Sequence, residues 1–261
     1  MNIRKLVDSL LDLNHLRKFA GFAVLKNVWG SGFKLQVVAR PPRGRVLVLS
    51  PHPDDDVLGG GGALALHARQ GDRVKIIYLF DGSGGEQDPA RRRAIARNRE
   101  AEARLAAQIL GANYLEFWRV PDGASILNRS CATKLTRVWR AFAPDIIYAP
   151  SFLDPHPDHC ATARLLAFFL KKYNFQGLIY SYEVWAPQFI NRLVSIDATK
   201  ELKVQAIKAH RSQLEARGYL DAMIGLAKYR AGMFGAGGYA EGFLSCRRQL
   251  YLSLFDLIKK K

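Results

Sequence analysis

Two short stretches of the chain concentrate side chains capable of metal and proton chemistry. The first, Ser50-Pro51-His52-Pro53-Asp54-Asp55-Asp56, sets one imidazole beside three successive carboxylates. Crowded carboxylates repel one another, so a fold tolerates them best beside a cation. The second, Asp154-Pro155-His156-Pro157-Asp158-His159, adds two imidazoles and further carboxylates. Each stretch follows a short apolar run, residues 45–50 and 145–150, that reads as a buried strand. Two such loops facing one crevice offer two His and one Asp to a metal, and leave a His and further carboxylates over. Two imidazoles, one carboxylate and an open position suit Zn2+, and Fe2+ nearly as well. Alone, the first stretch has a plainer explanation as a turn with a helix N-cap, and the second as a loop. Their recurrence, each behind a strand, is what points to a site.

The elements that would position these loops alternate along the chain. Apolar runs at residues 45–50, 74–80, 114–119, 145–150 and 178–184 predict strands. Between and after them, residues 59–68, 88–110, 132–142, 161–173 and 196–216 predict helices, the second closed by Gly111 as a C-cap. Continuous apolar strands between helices predict an α/β, Rossmann-like fold. Its sheet is mostly parallel, helices cover both faces, and the metal site lies at the C-terminal ends of the strands. Gly59-Gly60-Gly61-Gly62 lacks dinucleotide-binding spacing and reads as a helix approaching the sheet closely. Residues 3–28 place Ile3, Leu6, Leu10, Leu13, Leu16 and Phe19 at helical spacing, among Lys5, Arg17, Lys18 and Lys26. That predicts an amphipathic helix, packed on its own domain or resting on anionic lipid. With the Pro-rich linker that follows, it makes residues 1–43 an extension and residues 44–261 the main domain.

The order of these features resembles the LmbE-like, or PIG-L-type, N-acetylglucosaminyl deacetylases. Beyond the two loops, the likeness runs through Phe80-Asp81-Gly82, then Arg99, Glu102, Ala106, Leu110 and Gly111. It continues through Pro121-Asp122-Gly123, then Lys203, Ala206, His210, Ser212 and Gln213, and ends at Glu241-Gly242-Phe243. It covers roughly residues 44–245. Two positions depart from the family pattern: Phe80 replaces a Thr, and Asp56 replaces the Glu that closes the first motif. The resemblance implies that His52, Asp55 and His159 bind a metal, Zn2+ or Fe2+. It implies Asp54 as general base, His156 as the group that stabilises the developing oxyanion or protonates the amine, and Asp158 as the residue orienting His156. Arg99 and Asp81 would contact substrate. The chemistry is coherent: zinc lowers the pKa of water to about 7, and a neighbouring carboxylate takes the proton.

Composition narrows the setting. The formal net charge is +16, and the first 48 residues hold nine Lys/Arg against Asp8 and Asp12. Such a balance favours anionic partners. With the resemblance, it predicts a nucleotide-, inositol- or lipid-linked amino-sugar conjugate as substrate and, where that conjugate is lipid-linked, peripheral contact of residues 1–30 with the inner membrane face. Arg91-Arg92-Arg93 reads as a solvated helix face or a recruiter of phosphorylated substrate. Cys131, Cys160 and Cys246 are widely spaced and odd in number, which predicts free thiols and a cytoplasmic setting. No run is long and apolar enough to span a bilayer. Two other readings stand beside the deacetylase. One is the same fold acting on a different amide, such as a thiol conjugate. The other is a basic protein that binds membrane or nucleic acid through a degenerate site.

Overall fold

A computed structural model describes residues 34–84, 86–214 and 218–259. The helix expected over residues 3–28, and with it the membrane contact, lies outside the described residues. The strands are β1 (Gln36–Val38), β2 (Val46–Ser50), β3 (Val74–Phe80), β4 (Tyr114–Val120), β5 (Ile146–Pro150), β6 (Leu178–Tyr182), β7 (Arg192–Ser195) and β8 (Ala240–Cys246). They form one eight-stranded sheet in the order β1-β7-β8-β6-β5-β2-β3-β4. All pairings are parallel except those of β8, which runs antiparallel between β6 and β7. The helices are α1 (Asp55–Arg69), α2 (Pro89–Leu110), α3 (Arg129–Phe142), α4 (Pro157–Lys172), α5 (Lys200–Ala209), α6 (Arg211–Leu214), α7 (Tyr219–Phe234) and α8 (Arg248–Lys259). The sheet reaches upstream of the boundary expected at residue 43, because β1 pairs with β7.

The central strands are apolar throughout because both faces are covered. In β2, Val46 and Val48 join a core layer with Leu64 of α1, Ala106 of α2 and Ile207 of α5. Leu47 and Leu49 join the opposite layer, with Val138 of α3, Leu166 of α4 and Leu254 of α8. β2 pairs with β3 on one side and β5 on the other. The chain runs outward from β2 through β3 to β4, then returns to β5 and runs the other way. That reversal opens a crevice beyond the C-terminal ends of β2 and β5, the usual ligand position of such sheets.

Both candidate loops turn out to be helix starts. Helix α1 begins at Asp55, earlier than expected, with Asp55 and Asp56 in its first turn. Carboxylates there are stabilised by the free amides and positive end of the helix. Helix α4 likewise begins at Pro157, so His156 is its N-cap and Asp158 lies in its first turn. The glycine run lets α1 seat against the sheet. A Cβ on Gly59 would lie 2.3 Å from the ring of Tyr182, and one on Gly62 would lie 2.6 Å from Ile196. The helix expected over residues 196–216 is interrupted at His210, which separates α5 from α6.

A buried ion pair locks this arrangement. Glu241 of β8 accepts from the amides of Gly62 and Ala63, both at 2.8 Å, and from Lys203 Nζ at 2.6 Å. Lys203 also donates to the Leu58 carbonyl at 2.8 Å. Three elements, α1, β8 and α5, thereby share one polar contact whose groups are all satisfied.

Candidate metal centre and active site

The two helix starts converge. Asp55 Oδ2 lies 3.1 Å from His52 Nδ1 and 3.1 Å from His159 Nε2. The backbone amide of His52 donates to the same oxygen at 2.9 Å. Ring nitrogens of His52, His156 and His159 approach to within 4.8 Å of one another, as do donor atoms of His52, Asp122 and Asp158. The structure therefore brings together all three residues expected as ligands, and sets His156, Asp122 and Asp158 around them.

The donor set fits a divalent cation. His159 is fully buried, and both its ring nitrogens lack hydrogen-bond geometry, although each lies close to a carboxylate. Buried imidazoles are normally satisfied; an oxygen beside the ring nitrogen but off its hydrogen-bond axis leaves room for an ion between them. Electrostatics agree. Burial opposes a charged His52, but its contacts with Asp158 and Asp55 overcome this and push it up to about 10. His159 is likewise raised to about 9, against burial, chiefly by Asp55 and Asp154. Asp55 is held well below the usual carboxylate range by His159 and His52, although it is buried. This cluster gathers positive charge wherever it can, and a divalent cation would displace those protons.

Around the cluster, individual residues take specific positions. Asp54 is buried, which raises its affinity for a proton, and Arg99 pulls the other way. Arg99 Nη2 lies 3.0 Å from Asp54 Oδ1, and its Nη1 donates to the Gly82 carbonyl at 2.8 Å. Expected as a substrate contact, Arg99 is buried and turned toward Asp54. Asp81, the other expected substrate contact, is also buried. It accepts from the Ser83 amide at 3.0 Å and lies 3.8 Å from Arg92 Nε.

Asp158 was expected to orient His156 and does so only through its backbone. Its amide donates to His156 Nδ1 at 3.2 Å, whereas its carboxylate faces His52 Nε2 at 3.1 Å and accepts from the Gly123 amide. With Nδ1 accepting, a neutral His156 carries its proton on Nε2. Burial, then His52 and His159, lower its tendency to charge. Asp56, the shortened carboxylate, lies behind the ligands. It accepts from Tyr78 at 3.1 Å and Ser50 at 3.4 Å, and burial raises it to about 7.

Two positions were not assigned roles from sequence. Asp154 Oδ2 lies 3.2 Å from His159 Nδ1, behind the expected ligand. Asp122 accepts from the Gly82 and Gly84 amides at 2.8 and 2.6 Å and lies 3.8 Å from His52 Nε2. Their signals were present, in the first residue of the second loop and in the Pro-Asp-Gly turn. Their targets became visible only in three dimensions.

Known proteins carry the same framework. The family profile described as PIG-L, GlcNAc-PI de-N-acetylase, matches residues 47–169. A 4-oxalmesaconate hydratase of Pseudomonas putida is 33% identical over 121 residues, which cover 44% of this chain and 46% of the relative. The match thus spans less than half of that relative's length. A diacetylchitobiose deacetylase of Thermococcus kodakarensis is 28% identical over 186 residues, covering 65% of this chain and 70% of the relative. Among solved structures, the N,N'-diacetylchitobiose deacetylase of Pyrococcus horikoshii superposes with a TM-score of 0.69 at 27% identity. That superposition covers 79% of this chain and 85% of the other. The profile match takes in both ligand loops and the sheet reversal between them, and over residues 47–169 the chain carries a domain of the PIG-L, or LmbE-like, family.

Proposed function

We propose that this protein is a metal-dependent hydrolase that removes the acetyl group from an N-acetylglucosamine-type conjugate. One observation carries the reading: a buried carboxylate, Asp54, is gripped by Arg99 beside a fitted His52, Asp55 and His159 donor set. The names of the two chitobiose deacetylase relatives support the substrate class. When bound, a divalent cation, Zn2+ by its donor set with Fe2+ the nearest competitor, supplies the Lewis acidity that amide hydrolysis needs at neutral pH.

The remaining work falls to side chains. Asp54 accepts the proton of the attacking water, for which burial raises its basicity while Arg99 fixes its position. His156, with Nδ1 occupied by the Asp158 amide, offers its Nε2 proton to the charge that develops on the carbonyl oxygen, or to the departing amine. Asp154 and Asp158 hold His159 and His52 in orientation, as carboxylates behind metal-binding imidazoles do.

The test is metal analysis combined with an amine-release assay. The panel is N,N'-diacetylchitobiose, a nucleotide-linked, an inositol-linked and a lipid-linked N-acetylglucosamine. Metal-loaded protein that releases amine from none of them overturns the reading. A second reading, hydration of an unsaturated carboxylic acid, is favoured by the 33% identity to the hydratase. Loss of diene absorbance from such an acid, without amine release, would establish it instead.

A further inference from the structure

One aromatic side chain beside the cluster takes no part in the proton transfers. Trp185 follows β6 by three residues, at the edge of the sheet where β2 and β5 also end. Its ring packs on that of His156, with centroids 5.6 Å apart and planes 32° apart. Tyr219, the first residue of α7, meets it edge-on at 6.4 Å and 89°. The Trp185 amide donates to Asp154 Oδ2 at 3.2 Å, the same oxygen that lies 3.2 Å from His159 Nδ1. The indole is thus tied, through one carboxylate oxygen, to the ligand loop. Yet Trp185 remains 39% exposed. An indole fixed in place and left half in water, on the rim of a polar cluster, is a preformed binding face.

We infer that Trp185 is the specificity-determining platform on which the pyranose ring of the substrate lies. The inference rests on the deacetylase reading and deepens it. An acetamido carbonyl placed between His156 and the donor cluster has its nitrogen bonded directly to a sugar carbon. The sugar ring then sits about one ring's breadth from His156, where Trp185 lies. Pyranose C–H bonds carry partial positive charge and pack on the negative face of an aromatic ring. A polycarboxylate meets that face unfavourably, and an acyclic amide presents no flat ring to it. Leu153, on the loop after β5, is also 39% exposed.

The experiment compares metal-loaded wild type, Trp185→Ala and Trp185→Phe on methyl N-acetyl-glucosaminide and on acyclic N-acetylethanolamine. Trp185→Ala is expected to raise KM for the sugar about tenfold, the scale of one aromatic contact, with little change in kcat. Trp185→Phe restores most of the loss, and the acyclic amide is insensitive to either change. Binding is read separately from turnover, by indole fluorescence of Asp54→Asn protein titrated with the methyl glycoside. The signal is expected to disappear when Trp185→Phe is added. Equal loss on both amides, or a fluorescence change that persists without the indole, overturns the platform. Absence of turnover in the wild type, with a Trp185-dependent titration intact, overturns the deacetylase reading and leaves the platform standing.

Discussion

At the scale of single residues, the site divides into groups that react and groups that hold them. Asp54 belongs to the first kind. Asp54→Asn is expected to lower amine release by about 10²–10⁴-fold, while metal content measured by atomic emission stays at the wild-type level. Equal loss of metal would place Asp54 among the ligands instead. His210 shows a different use of burial. Neither of its ring nitrogens has a hydrogen-bond partner, and burial, aided by Arg99, pushes it down to about 3. Its folded pKa lies below the unfolded value of about 6.5. Its contribution to stability is therefore complete above pH 6.5 and is lost as pH falls toward 3. At pH 5 this linkage costs about 2 kcal/mol. His210→Gln should lose less stability than wild type between pH 7.5 and 5, as read by urea midpoints. Parallel acid sensitivity in the two proteins would remove His210 from that role. The candidate ligands were legible in the sequence because both motifs are local, each packed into a few residues. The partners of Arg99 within the chain were not legible, because the partner of a guanidinium is set by which loops fold over it, here those of Pro53 and Gly82.

At the scale of elements, helix starts and a buried charge pair do the positioning. Glu241 and Lys203 are 4% and 2% exposed. Removing one partner of a buried pair strands the other, at a cost of about 3–5 kcal/mol. Lys203→Met is expected to destabilise by that order in urea unfolding. Adding Glu241→Gln should recover part of the loss, since it removes the stranded charge. Strict additivity of the two changes would show that they do not act through each other. This pair also explains which elements sequence patterning could read. β2, β3 and β5 declared themselves as unbroken apolar runs. β8 did not, because Glu241 and Gly242 interrupt it, and the amides and ammonium that neutralise Glu241 lie far away in sequence. The three residues of β1 were too few to form a pattern. In sequence the starts of α1 and α4 look like loops because His, Pro and Asp favour turns, and the same residues favour the first turn of a helix.

At the scale of the whole molecule, the metal should be part of the fold's stability. A cation that binds the folded state at a thousand times its Kd contributes about 4 kcal/mol. Stripping it with a strong chelator is expected to lower Tm by on the order of 10 °C, and added Zn2+ should restore both Tm and amine release. A Tm indifferent to chelation would argue against the donor set. Among the described residues no helix is long and apolar enough to cross a membrane. The formal net charge of +16 bears on what the surface attracts.

The pairing of β2 with β5 has a consequence in time as well as space. His52 and Asp158 stand 106 residues apart in sequence, and the donor set does not exist until those two strands lie side by side. Closing so large a loop is slow relative to forming the local helices around it. A cation captured by the finished site therefore cannot guide the early steps of folding. It acts afterwards, as a latch that slows unfolding. In refolding experiments, the metal should leave the folding arm of the chevron nearly unchanged and lower only the unfolding arm.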